Sequence, residues 1–333
     1  MSKLVVMGAG AWGTTFAKVL ADGGNDVMLW ARREDVADEI NKVHRNGDYL
    51  PGVRLPQNLK ASIDPKEVLE GATQVYLAVP SQNLRDNLAD WGQLIPKDAI
   101  IVSLMKGVEK DTGLRMSEVI REILGFPGDQ IVVVSGPNLS LEIAAGEPAA
   151  SVAACSNRDI ASEVAAVATN EYFTTFTNKD VVGTEFGGIL KNLIAVAIGI
   201  VNGVGYGQNT KASIITRGLA EISRFAVAYG AKKKTMVGLA GMGDLIATSE
   251  SPLSRNFKAG EMLGKGYTLR EVTKRLSQTA EGLASVAPIL ALAAAKGISM
   301  PIVEQVKLVM DGEMNPRDIA PHLTHETDEP QGE

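Results

Sequence analysis

The chain has 333 residues, which at about 150 residues per domain allows two domains and a sizeable core. Hydrophobic residues at 45% and charged residues at 22% exclude a disordered or collagen-like chain. The net charge of −6, with Lys232-Lys233-Lys234 as the one dense basic cluster and readable as a solvated helix end, argues against nucleic acid as a partner.

In chain order, the sequence opens with MSKLVVMGAG, which breaks at glycine too early for a signal peptide. Strands are predicted at residues 4–7, 27–30, 74–79, 99–103 and 131–135, with weaker ones at 151–154 and 172–176. Their near-continuous Val/Ile/Leu content and the helical-length segments between them predict a mostly parallel, doubly wound sheet covered on both faces. After Asn178 the character shifts to glycine-spaced apolar segments of helical length, which places the domain boundary near residue 180. The expected division is 1–180, 181–322 and an acidic, disordered tail at 323–333. The apolar run at 193–201 falls well short of the roughly 20 residues that span a bilayer, so a cytoplasmic protein without membrane insertion is expected.

Gly8-Ala9-Gly10-Ala11-Trp12-Gly13 follows the first strand and opens a helix predicted over 14–21 that closes at Asp22-Gly23-Gly24. In that context Gly8 permits a tight turn, Gly10 lets the backbone approach a pyrophosphate, and Gly13 lets the helix pack on the strand. A dinucleotide cofactor is therefore expected. The second strand ends in Leu29-Trp30-Ala31-Arg32-Arg33, where a carboxylate would take a ribose hydroxyl and arginine a 2′-phosphate. Two guanidinium groups favour NADP(H), with NAD(H) left open beside it, while Glu34 and Asp35 immediately after them leave open a pair of solvated arginines at a helix entry.

Nicotinamide chemistry on an alcohol or ketone needs a proton donor and acceptor near the reacting oxygen. His44, His322 and His325 are poorly placed for it, and no metal is expected because neither these histidines nor the single Cys155 match a metal-ligand spacing. Lys191 interrupts the apolar helical run at 186–196, a position lysines usually avoid. Gly187, Ala195 and Gly199 lie on its helical face at i−4, i+4 and i+8, so little bulk covers the ammonium and room for a ligand is expected. Burial would lower its pKa and a carboxylate neighbour would raise it, and a lysine snorkelling from a packed helix fits the same pattern.

A second polar group lies among turn residues, from Gly241-Met242-Gly243-Asp244 through Thr248 to Ser254-Arg255-Asn256. Asp244 reads equally as a helix N-cap with Thr248 one turn later. The Ser-Arg-Asn triplet suits a phosphate and equally suits a polar loop. Lys106-Gly107 and Gly136-Pro137-Asn138-Leu139-Ser140 follow sheet strands on the edge where open α/β sheets bind ligands, and both also read as ordinary loop segments.

Together, GAGAWG, Lys106-Gly107, SGPNLSLEIAAGEP, Lys191-Asn192, GLAGMGDLIATSESPLSRN and Ala280-Glu281-Gly282 resemble the bacterial-type NAD(P)-dependent glycerol-3-phosphate dehydrogenase family over almost the whole chain. The resemblance implies a Rossmann-like N-terminal domain, an all-α C-terminal domain like that of 6-phosphogluconate dehydrogenase, and a homodimer. It also implies reversible reduction of dihydroxyacetone phosphate to sn-glycerol 3-phosphate, the backbone precursor of phospholipids. Lys191 matches the family's general acid/base. Lys106, Gly136, Asn138, Asp244, Ser254, Arg255 and Asn256 match its substrate positions, with Asn192 and Thr248 around them. Ala11, Trp12, Arg32, Arg33, Ser140, Thr279 and Glu281 match positions lining the dinucleotide, beside Gly8, Gly10 and Gly13, and Lys106 and Arg255 are counted there too. Asn138 stands where the family commonly has serine or threonine, and Thr279 where a small apolar residue is common. The alternatives are a 3-hydroxy acid dehydrogenase of the same two-domain type and a catalytically silent NADPH-binding sensor.

Overall fold

The structure, a computed structural model, describes residues 3–276 and 280–320; the expectations at Thr279, His322, His325 and the tail lie outside them. The chain divides into two compact units, one ending at Glu185 and the other beginning at Phe186.

The first unit is built on β1 (Leu4–Met7), β2 (Val27–Trp30), β3 (Leu59–Ser62), β4 (Gln74–Leu77), β5 (Ile100–Ser103), β6 (Ile131–Ser135), β7 (Ala149–Ala154) and β8 (Phe173–Asn178), in the sheet order β3-β2-β1-β4-β5-β6-β7-β8. All neighbours are parallel except β6 and β7. Its helices are α1 (Ala11–Asp22), α2 (Glu34–Val43), α3 (Pro65–Leu69), α4 (Leu84–Trp91), α5 (Met116–Leu124), α6 (Ser140–Ala144) and α7 (Arg158–Val167). They cover both faces, so β1 and β4 are buried at every position. One apolar layer gathers Phe16, Tyr76 and Phe173 on the α1 side, and the other gathers Val5, Val75, Trp91 and Ile120. The sheet reverses its winding between β1 and β4, the place where open α/β sheets bind ligands.

β3 corrects the sequence reading, which had no strand there. Its four residues LKAS alternate buried and open with Lys60 exposed, too short and too polar to stand out as a strand. What holds its outer edge is a side chain: Asn41 donates to Ala61 O (2.7 Å) and accepts from Ala61 N (2.9 Å), standing in for a neighbouring strand. α1 starts three residues before the predicted helix, because the turn glycines lead straight into it.

The second unit is helical throughout its described residues. Its helices are α8 (Val181–Val204, whose first turn belongs to the first unit), α9 (Gln208–Ala228), α10 (Lys233–Met236), α11 (Asp244–Glu250), α12 (Arg255–Gly264), α13 (Leu269–Arg275), α14 (Glu281–Ala295) and α15 (Pro301–Asp311). The apolar stretch in α8 is longer than the sequence run suggested: within its 24 residues an 18-residue window has mean hydropathy 1.6, enough by length and composition to cross a membrane. Of that 18-residue window 83% is buried within the fold, the environment of a core helix. α8 and α12 cross at backbone contact. A Cβ added at Gly199 would lie 2.2 Å from Phe257 O, at Gly203 2.2 Å from Glu261 O, at Gly260 2.0 Å from Val196 O and at Gly264 2.1 Å from Ile200 O. Two pairs of glycines four residues apart thus let the helices meet without side chains between them.

α9 holds α15 through Glu221, whose buried carboxylate accepts Ile302 N (2.9 Å) and Val303 N (3.2 Å) at the start of that helix. Burial outweighs those two bonds and pushes the carboxyl up from 4.5 to about 7. The folded chain therefore holds a proton that the unfolded chain releases, so the contribution is fully present below about pH 4.5 and is lost as the pH rises through about 7. Glu221→Gln is expected to remove this slope: between pH 5 and pH 8 the wild-type Tm should fall relative to the variant's, by an amount equivalent to about 2–3 kcal/mol. Parallel melting curves across that range would contradict the assignment.

Candidate active site

In the first unit the glycine turn sits at the carboxyl ends of β1 and β4. Gly8 N donates to Trp30 O (3.2 Å), and Ala78 N donates to Met7 O (2.9 Å). Gly8 has φ +125, and a Cβ there would lie 2.7 Å from Ala78 O. At Gly13 a Cβ would lie 1.9 Å from Gly8 O, so both positions are fixed by packing within the fold. Gly10 differs: a Cβ there meets nothing within 4 Å, so no protein neighbour requires glycine. It is also the N-cap of α1 and offers no side-chain cap, leaving the first N–H groups of Ala11, Trp12 and Gly13 open to an anion. Trp12 packs edge-on against Phe16, and its buried Nε1 has no hydrogen-bond partner.

Arg32 and Arg33 follow β2 beside this turn, both exposed. Arg33 is engaged by acids: its guanidinium donates to Asp48 and lies 3.5 Å from Asp35 Oδ1. Hydrogen bonding to Asp48 raises its pKa above the usual guanidinium value.

Beyond β5, Lys106 Nζ donates to Gly136 O (3.0 Å), which joins two of the segments singled out in the sequence. Gly136 has φ +155, and a Cβ there would lie 3.0 Å from Ala150 O. Asn138, two residues on, buries both amide atoms without a hydrogen-bond partner, and the hydroxyls of Ser103 and Ser135 at the ends of β5 and β6 are buried and unpartnered as well. Ser140 starts α6, and its carbonyl accepts from Thr15 Oγ1 (3.2 Å).

The second unit brings together further residues singled out in the sequence. Lys191, in the middle of α8, is only 6% exposed, with Asp244 at 1% and Thr248 at 3%. The ammonium lies 3.0 Å from Asp244 Oδ1 and donates to Thr248 Oγ1, whose hydroxyl donates to Asp244 Oδ1 (3.2 Å). Asp244 is not the N-cap of α11 but its first residue, following the π-helical turn Leu239–Gly243. That wide turn, with a Cβ at Gly241 excluded by Met236 O at 2.1 Å, directs residue 244 and its neighbour one turn on toward α8.

The expected free space along the Lys191 face is not found. A Cβ at Gly187 would lie 2.4 Å from Ala240 O, and one at Gly199 2.2 Å from Phe257 O. The small residues admit neighbouring backbone, and Lys191 reaches polar partners because those backbones come so close.

Next to it, Asn192 donates to Gly188 O (3.2 Å) and accepts from Asn256 Nδ2 (2.8 Å), while Asn256 Oδ1 accepts from Gly282 N (2.9 Å). This amide chain links α8, α12 and the start of α14, where Glu281 is the first residue. Ser254 caps α12 by accepting from Phe257 N (3.2 Å), so its hydroxyl serves the helix, and Arg255 follows it, exposed, at the first helical position. The sequence reading missed Asn46 and Asp48. Asn46 is fully buried and donates to Ala9 O (3.0 Å) and Thr14 Oγ1 (2.8 Å), bracing the glycine turn from the loop after α2. Nothing in HRNGDY marks this, because the contact spans 37 residues. Among the described residues no cluster of three His, Cys, Asp or Glu side chains is placed to hold a metal ion.

Residues 3–161 match the family described as NAD-dependent glycerol-3-phosphate dehydrogenase N-terminus, and residues 180–321 match its C-terminus. The chain belongs to this family. A glycerol-3-phosphate dehydrogenase, NAD(P)+, from Leifsonia xyli is 60% identical over 328 residues, covering 98% of this chain and 89% of the relative. One from Corynebacterium glutamicum is 53% identical over 320 residues, covering 96% of both. The crystal structure of glycerol-3-phosphate dehydrogenase from Coxiella burnetii superposes with a TM-score of 0.92 at 34% identity, covering 98% of this chain and 99% of that one. Membership makes the chain a nicotinamide-dependent oxidoreductase acting on a CH–OH group, and favours neither the hydroxy-acid dehydrogenase nor the silent sensor.

Proposed function

We propose that Lys191 is the proton donor and acceptor in the interconversion of dihydroxyacetone phosphate and sn-glycerol 3-phosphate, and that NADPH is the favoured cofactor. The observation that carries this is the buried Lys191, Asp244 and Thr248 cluster, an ammonium held beside a carboxylate and a hydroxyl in the middle of a largely apolar helix. The glycine turn fits a dinucleotide: Gly10 has open space where a pyrophosphate would lie, and the α1 N-terminus has no side-chain cap. The bound dinucleotide supplies the hydride.

Lys191 Nζ gives a proton to the ketone oxygen as the hydride reaches the adjacent carbon, and takes it back from the alcohol in the reverse direction. Asp244 and Thr248 hold the ammonium so that its positive charge stabilises the developing alkoxide without reorganisation. Arg255, exposed at the start of α12, and Lys106 provide positive charge for the phosphate, and binding that remote group orients the carbonyl. Gly136, Ser254 and Asn256 complete the substrate positions, with Asn192 bonded to Asn256. The unpartnered amide of Asn138 supports a ligand contact there, since a buried amide without hydrogen bonds is costly unless something satisfies it. Ala11, Trp12, Arg32, Arg33, Ser140 and Glu281 are the remaining dinucleotide positions. A cytoplasmic homodimer that supplies phospholipid synthesis completes the reading.

Initial rates with dihydroxyacetone phosphate, measured with NADPH and NADH in parallel and against 3-oxo acids, test it. Oxidation of NADPH by the phosphorylated ketone, faster than of NADH, is the expected result. Turnover confined to the 3-oxo acids would refute it.

A further inference from the structure

Arg33 is one of the two residues that the cofactor reading assigns to a 2′-phosphate, and its guanidinium already has a carboxylate partner that the sequence gives no sign of. Asp48 is fifteen residues downstream, in the loop between α2 and β3. This loop is held at two points flanking the carboxylate. Gly47 N donates to Glu39 Oε2 on α2 (3.0 Å), and the fully buried Asn46 bonds Ala9 O in the glycine turn and Thr14 Oγ1 on α1. His44, at φ +55, ends α2 in the left-handed region and turns the chain toward that turn, and Leu50, fully buried, closes the loop by donating to Asn46 O (2.8 Å). Asp48 is therefore presented at Arg33 by anchored backbone, although both side chains are themselves exposed.

The charges around the end of β2 follow from this. Arg33 lies between Asp35 at the start of α2 and Asp48 across the loop, one positive group against two negative. A 2′-phosphate brought to Arg33 competes with Asp48 for the guanidinium and lies near a carboxylate whose backbone Asn46 and Gly47 hold in place. A cofactor with a free 2′-hydroxyl meets no such repulsion.

We propose that Asp48 sets the cofactor discrimination of this chain, by competing with the 2′-phosphate for Arg33 and thereby narrowing the preference for NADPH over NADH. The proposal rests on the reading of Arg33 as a phosphate ligand. A specificity device of this kind works through repulsion of one ligand as much as through attraction of the other.

The test is calorimetric binding of 2′-phospho-ADP-ribose and of ADP-ribose to the full chain and to two variants. Asp48→Asn keeps the size of the side chain and removes its charge. It is expected to tighten 2′-phospho-ADP-ribose by about five- to tenfold while leaving ADP-ribose within about twofold, a one-sided change that a merely structural role would not produce. Equal changes for both ligands, or none for either, would overturn the proposal. Arg33→Gln separates it from the reading beneath it: loss of 2′-phospho-ADP-ribose affinity alone upholds the phosphate role, and unchanged affinity overturns both. If Arg33→Gln weakens the phosphorylated ligand and Asp48→Asn affects neither ligand, only the role of Asp48 falls.

Discussion

Lys191→Ala is expected to lower kcat by about 1,000- to 10,000-fold, because it removes both the proton donor and the cation at the developing alkoxide. Dinucleotide affinity should stay within about twofold, since the glycine turn belongs to the first unit and is held by bonds to Trp30 O and from Asn46. The substitution also leaves Asp244, 1% exposed, without its ammonium, which typically costs about 3–5 kcal/mol of stability. A second variant therefore separates folding from chemistry. Lys191→Ala combined with Asp244→Asn should recover most of the lost Tm and none of the lost turnover. Nucleotide binding can be followed by NADPH fluorescence in both variants; its disappearance in a folded Lys191→Ala protein would show that the role has been misassigned.

The second large effect is expected at the helix crossing. Gly260→Ala places a methyl carbon 2.0 Å from Val196 O and 3.0 Å from Gly199 Cα, contacts that only separation of α8 from α12 can relieve. Overpacking of this kind costs about 1–3 kcal/mol and sometimes more. The displacement falls on the helix that starts with Arg255 and Asn256, so the 2.8 Å bond from Asn256 to Asn192 is lost with it. The expected phenotype is a lower Tm together with an increase of about tenfold or more in KM for the phosphorylated ketone, in line with the rate sensitivity of substrate positioning. An unchanged KM would mean that the crossing does not position the triplet.

The two halves of the fold were unequally legible. β1, the glycine turn and α1 could be read because each glycine there has a separate local reason, and Gly8 and Gly13 are excluded from carrying side chains by atoms within the same strand-turn-helix unit and the end of β4. β3 could not, since its register depends on Asn41 in a helix twenty residues earlier. Lys191 stood out as a charge in an apolar run, yet the glycines around it were misread as vacant space. They are docking points for the π-helical turn and for α12, and only the packed structure distinguishes a small residue that leaves room from one that admits a backbone. Asp244 and Thr248, one helical turn apart, were legible as a pair, but not their common partner 53 and 57 residues earlier. The loop carrying Asn46 and Asp48 gave no signal, because its function lies in long-range hydrogen bonds from ordinary turn residues.

The central claim, proton transfer by the Lys191 ammonium, is tested most directly by chemical rescue. Lys191→Ala would be assayed with dihydroxyacetone phosphate, NADPH and a series of small primary amines of graded basicity. The account predicts that methylamine or ethylamine restores a saturable fraction of turnover, that the restored rate varies with amine pKa, and that tertiary amines of similar basicity, too bulky for the vacated space, restore none. Equal activity with and without amine in a folded variant that retains NADPH binding and measurable residual turnover unaffected by pH would contradict it.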